Sequence, residues 1–225
     1  MLSRKQTAWK KSRKLGDVYG GRRWPKLTDR IFNRAHSLQR PAPGEETPIL
    51  LEDNPSRDHF FPLDGRECLQ ALTALPEAHV RGLTHLWLRR PRSSESTASP
   101  RLAEFICGSG VRVIILYPWR RDLRLCVGRA RPPARTVRVY QRFEAELVHE
   151  GGSWYFAFDE RSLRRFYVEH LLYHEVGHHV DRYQRHWSKA NRSQVEEFAD
   201  QYAIQWTPTA AHLINPLADG APRGG

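Results

Sequence analysis

The chain has no apolar run of eighteen or more residues, so none of its 225 residues form a segment fit to cross a bilayer as a helix. Its opening stretch, MLSRKQTAWKKSRKLG, is charged but lacks an apolar stretch and does not read as a secretory signal. Cysteine is scarce. Cys68, Cys107 and Cys126 are scattered, odd in number and without CxxC pairing, which indicates neither a disulfide framework nor a cysteine zinc site. They read as buried thiols in a reducing compartment, and the expected location is cytoplasmic. There is no internal repeat. Apolar residues make up 40% and charged residues 27%, which argues against disorder throughout and for a packed core.

Charge is present but unevenly placed. Residues 1–40 hold twelve Lys and Arg against Asp17 and Asp29, and the rest of the chain is nearly balanced. Trp9, Tyr19 and Trp24 sit among those cations. Such an arm suits phosphate gripping and base stacking, so nucleic acid is a candidate partner through residues 1–40; a solvated tail has the same composition.

Residues 1–64 are expected to be a basic, partly disordered arm and linker, residues 65–215 the folded domain, and residues 216–225 a disordered tail. Leu27 to Gln39 fits a short basic helix stopped by Pro41, and residues 41–64 carry five prolines with no sustained period. Cys68, Leu69, Ala71, Leu72 and Leu75 recur at helical spacing. Gly82 to Arg89 reads as a first strand, and residues 91–100 as a mobile loop. Val111 to Tyr117 is nearly all apolar, as a central strand is. Leu123, Leu125 and Val127 alternate with polar neighbours. From Val137 to Leu147 apolar residues favour odd positions, predicting a half-buried strand, and Gly151-Gly152 predicts a hairpin returning along Trp154 to Phe158. After Asp159 the period becomes 3.6, from Leu163 to Tyr183, and a second helix spans about 191–206. Strands followed by helices make the class α+β.

The long helical stretch contains His174-Glu175-Val176-Gly177-His178. Two histidines at i and i+4 share a helix face, so both imidazoles can reach one zinc ion at about 2.1 Å. Glu175 then lies beside the metal, where it can act as general base on a zinc-activated water. Two histidines leave the site incomplete. The extended HExxHxxGxxH form fails, because Asp181 and Gln184 occupy the required Gly and His positions, and no cysteine lies downstream. In the second helix Glu196 and Asp200 are four apart on one face. Glu196 is the favoured third ligand, with Asp200 accepting an N–H from one histidine. Ser193-x-x-Glu196 also fits a helix capping box, with Asn191 and Gln194 as a rival cap, and Glu197 is the alternative ligand. Ala199 and Ala203 allow close helix packing. Asp181 reads as an arginine partner or a support to the ligands, and His179 as a surface or packing residue. His212, Tyr202 and Tyr183 are candidate oxyanion stabilisers.

HEVGH at 174–178 and EEFAD at 196–200 resemble the gluzincin class of zinc metallopeptidases, whose pattern is HExxH followed by ExxxD. The chain is most similar to minimal forms, the ImmA/IrrE-like and CAAX-type catalytic cores and the lethal-factor-like peptidases. Lethal-factor-like motifs often continue with an acid where this chain has Asp181. The resemblance spans about residues 105–206. It implies a zincin-like fold, with a small, mostly antiparallel sheet packed on the active-site helix and a following glutamate helix. It also implies a Zn2+ cofactor and an edge strand that pairs with a protein or peptide substrate; the stretches near Arg138–Val148 and Trp154–Phe158 are candidates for that strand. The expected function is a zinc metalloendopeptidase with a regulatory or processing role. The alternative is a nucleic-acid-binding protein with a structural or inactive zinc site.

Overall fold

A computed structural model describes residues 38–91, 101–108, 110–184, 187–188 and 190–215. The expected arm up to residue 37, nearly all of the expected basic helix and of the expected loop at 91–100, and the expected tail at 216–225 lie outside the described residues.

The described chain is mixed in class, with small sheets and several helices, as the α+β reading expects. The main sheet holds β1 (Ile49–Glu52), β3 (His85–Leu88), β5 (Val111–Leu116) and β4 (Ala103–Gly108), in that spatial order. β1, β3 and β5 run parallel, and only β4, at one edge, is antiparallel. The expectation of a mostly antiparallel sheet is therefore corrected for this layer. The reason is burial on both faces, which is how parallel sheets occur. Ile114 and Leu116 face the larger core, whereas Val113, Ile115 and Tyr117 form a second cluster with Ile106 and Val111. That is why VRVIIL is continuously apolar. β1 lies inside the stretch expected to be linker; its register with β3 places residues 49–52 in the folded body.

Between β1 and β3 run the two-residue strand β2 (His59–Phe60), α1 (Gly65–Thr73) and the single turn α2 (Glu77–Val80). α1 begins at a reciprocal cap between Asp64 and Glu67, and buries Cys68, Ala71 and Leu72. β2 pairs with β6 (Trp119–Arg120).

A three-stranded antiparallel sheet follows, β7 (Arg124–Gly128), β9 (Ser153–Ala157) and β8 (Glu146–Glu150). The β8–β9 hairpin turns at Gly151 and Gly152, both at positive φ (58° and 76°), as a two-residue turn of matching twist requires. The strand expected from Val137 is instead α3 (Ala134–Gln141), with β8 starting only at Glu146. Val137 and Tyr140 are three apart as well as part of an alternation, and Pro132-Pro133 starts a helix readily; packing of those two side chains on the core decided for the helix.

The long helical stretch is three pieces. α4 (Glu160–Phe166) is capped by Asp159 and Ser162. A π-helical segment, Tyr167–Tyr173, follows, and α5 (His174–Gln184) continues it. Tyr167 donates to the Tyr117 carbonyl at 2.9 Å and Tyr173 to the Ala71 carbonyl at 2.8 Å, which ties the segment to β5 and α1. α6 (Arg192–Trp206) packs along α5, then a 3-10 turn (Thr207–Ala210) and α7 (Ala211–Ile214) end the described chain. Gly177 permits the close approach: a Cβ there would lie 2.8 Å from the Ala199 Cα. No helix among the described residues is long and apolar enough to cross a membrane.

Candidate metal centre

His174 opens α5 one turn before His178, so both rings project from one face, with centroids 4.6 Å apart. α6 brings Glu196 across from them. Its Oε2 lies 3.5 Å from His174 Nε2 and 3.7 Å from His178 Nε2. Donors on one tetrahedral ion at about 2.1 Å are separated by about 3.4 Å. One ligand atom from each of the three residues falls within 4.8 Å of the others, so the cluster could hold a metal ion. Two imidazoles and a carboxylate leave further coordination positions open, the donor set of a site that admits a reacting molecule.

Asp200 lies one turn beyond Glu196, and its Oδ1 sits 2.9 Å from His174 Nδ1. A carboxylate there holds the proton on Nδ1, so that Nε2 is the nitrogen that would lose its proton to bind a metal. Burial opposes a charge on His174, but hydrogen bonds to Asp200 and Glu196 and the nearby Glu175 charge outweigh it, raising its pKa to about 9. His174 in turn holds the carboxyls of Glu196 and Asp200 below their ordinary range. Burial, reinforced by the charge of His174, lowers His178 to about 4, so it is neutral and able to donate its lone pair.

Glu175 is 8% exposed. Burial pushes its carboxyl up to about 7, against the opposing effects of His174 and of a hydrogen bond from the Phe105 N–H. That N–H belongs to β4, so the edge strand of the main sheet runs beside the HExxH helix. The strands expected in this role, near Arg138–Val148 and Trp154–Phe158, lie in the other sheet and in α3.

Glu196 belongs to the cluster rather than to a cap; Asn191 occupies the N-cap position, and its Oδ1 accepts from Ser188. Glu197 points outward and accepts from Gln201. The candidate oxyanion stabilisers are not brought to the three donors. The Tyr202 hydroxyl lies 3.0 Å from His79 Nδ1, His212 is exposed on α7, and Tyr183 is exposed with Arg112 over its ring. Asp181 is buried and accepts from Trp187 Nε1 at 2.7 Å. His179 is buried, its Nε2 donating to the Arg81 carbonyl at 3.1 Å.

Three neighbours were missed in the sequence. Trp187 stands edge-on to His178, 5.4 Å between centroids, and also to Phe105. His170, one turn before His174, is 5.9 Å from it. Glu169 is buried between Arg142 at 3.0 Å and Arg165 at 3.5 Å. His170 was detectable as an i−4 histidine; nothing local marks Trp187.

No family model, curated protein or solved structure matches the chain.

Proposed function

We propose that the chain is a zinc-dependent metallopeptidase of zincin-like architecture, with a gluzincin set of ligands. The observation that supports this best is the meeting of His174 Nε2, His178 Nε2 and Glu196 Oε2 beside a buried Glu175. A purely structural metal site has no use for a buried, uncoordinated carboxylate at that position.

Zinc held by these three residues would supply Lewis acidity, polarising a peptide carbonyl and making a water acidic enough to attack near neutrality. Glu175 takes the proton from that water and returns it to the departing amine nitrogen. As a buried carboxylate beside the three donors it is placed for both directions of transfer. Asp200 keeps His174 in the tautomer and orientation that ligation needs. The edge strand β4 offers backbone groups to an extended peptide lying along it, and Trp187 walls the side of the site next to His178.

The test is elemental analysis of the purified chain beside His178→Ala and Glu196→Ala, together with turnover of a fluorogenic peptide library by wild type and Glu175→Gln. One zinc per wild-type chain, lost or weakened in both ligand variants, is expected. Glu175→Gln should keep the metal and lose activity by roughly 10²–10⁴-fold. A wild type that takes up no zinc when supplemented would overturn the reading.

A further inference from the structure

Arginine is concentrated inside the folded body as well as in the arm. Residues 119–142 carry eight arginines against one acid, Asp122. The overall balance of the chain after residue 40 conceals this. Arg120 pairs with Asp122, Arg124 with Glu150 and Arg142 with Glu169. Arg129, Arg131, Arg135 and Arg138 are exposed, and no carboxylate among the described residues pairs with them.

The placement is regular. Arg135 and Arg138 lie on one side of α3, while Val137 and Tyr140 on the opposite side pack against the core; Arg131 lies in the non-helical stretch that leads into α3. The first turn of α3 contains no acid. Like charges along one stripe, and a cation beside the positive end of the helix dipole, both oppose folding. Arg138 in the last turn suits the helix dipole and Arg131 contacts Trp154, but Arg135 in the first turn has no such stabilising role.

A stack of flat groups stands at the same face. The Arg131 guanidinium lies 5.5 Å from the Trp154 ring centroid, and Trp154 stacks on exposed His149 at 4.6 Å and 27°. Guanidinium groups match phosphate geometry, and aromatic rings accept bases. The arm repeats the pairing, since its twelve cations are interspersed with Trp9, Tyr19 and Trp24. The face lacks an apolar wedge for a lipid surface. The large hydrophobic side chains left exposed among the described residues, Tyr183 and Ile204, are on other helices.

We infer that the arginine row of α3, with the Trp154–His149 stack, is a binding face for single-stranded nucleic acid. The guanidinium groups hold successive phosphates, and the stack receives a base. This face does not involve the metal cluster, so the inference stands apart from the peptidase reading.

The test titrates a fluorescein-labelled single-stranded oligonucleotide, about twenty nucleotides long, with the full chain at several salt concentrations and no added metal, reading anisotropy. Replacing Arg129, Arg131, Arg135 and Arg138 together with Ser should lower the slope of log affinity against log salt by about 2.8. Because slopes add, the drop is visible even while the arm binds. Trp154→Ala should weaken binding roughly tenfold with the slope kept. If the fourfold variant loses its native circular dichroism, Arg135→Ser/Arg138→Ser should still lower the slope by about 1.4. No binding by wild type, or an unchanged slope in folded variants, would overturn the inference. So would displacement by polyglutamate as effective as by unlabelled oligonucleotide at equal charge, which would assign the face to an acidic protein.

Discussion

Where α5 and α6 face each other the ionisable side chains answer one another: His174 meets Asp200 and Glu196, Asp181 meets Trp187, and Glu175 meets the Phe105 N–H. Along α3 and the stretch before it the charges are exposed, of one sign, and at Arg129, Arg131, Arg135 and Arg138 without acidic partners among the described residues. In the first region tertiary contacts complete the electrostatics, so function there depends on helix spacing and on protons. In the second no acid among the described residues supplies the complement, so the expected behaviour there depends on salt. Both regions are rich in charge, but only the first has charge that the fold itself balances.

The contrast can be broken or sharpened by experiment, beginning with the largest effect. In chelator-treated protein His170, His178 and His179 are held neutral to about pH 4, mainly by burial, whereas unfolded histidines take up protons near pH 6.5. Glu175 partly offsets them. Its folded pKa of about 7 exceeds the unfolded value, so its stabilising contribution is fully present below the unfolded value and is lost as pH rises through 7. Net uptake by the unfolded chain therefore lowers stability as pH falls from about 6.5 towards 4, by about 2.7 kcal/mol per pH unit at the steepest. His174, raised to about 9, adds stability that is lost as pH rises through 9. Urea unfolding across this range should show a maximum near pH 6.5. His179→Gln, still able to donate to the Arg81 carbonyl, should make the acid side shallower; an equal slope would show that His179 is not held neutral.

The next effect concerns spacing. Gly177→Val forces a side chain against the Ala199 backbone, which cannot yield. Overpacking of this kind should cost about 1–3 kcal/mol, seen as a lower melting temperature, and should weaken metal uptake because α6 carries Glu196. A variant that melts like wild type would show that the helices are not held this closely.

Asp200→Ala comes third. Isothermal titration with zinc should give an affinity tenfold to a hundredfold weaker, from loss of the hold on His174 Nδ1, with one site retained. Unaltered affinity would remove Asp200 from the site. The smallest effect is expected on the other side of the comparison. Arg135→Glu places an acid in the first turn of α3 and should raise stability by about 0.3–1 kcal/mol in a thermal melt at low salt. A destabilised variant would mean that Arg135 has a structural partner after all.

Much of the metal cluster was legible in the sequence. The i, i+4 histidines, the glutamate between them, and Glu196 with Asp200 four residues apart all follow from helical periodicity, and all five lie where the two helices meet. The hairpin at Gly151-Gly152 was legible for a similar reason, because its turn chemistry is local. The stretch from Val137 was not, since its apolar residues suit either period until the core chooses. The parallel run of β1, β3 and β5 was hidden too: β1 is four residues long in a proline-rich stretch and gains its place only by pairing with β3. Which way Tyr202 faces was not legible either: its hydroxyl meets His79, from a segment distant along the chain.

By itself, then, the sequence determined which donors share a helix face, since backbone bonds from each residue to the fourth before it set that spacing without outside help. Tertiary structure decided which acid on α6 meets the histidines, through the close approach at Gly177 and Ala199. It also decided that β4, rather than a strand of the second sheet, runs beside Glu175, and that Trp187 stands against His178. These are contacts between segments distant along the chain, and their geometry depends on how the core fills, which no local pattern encodes.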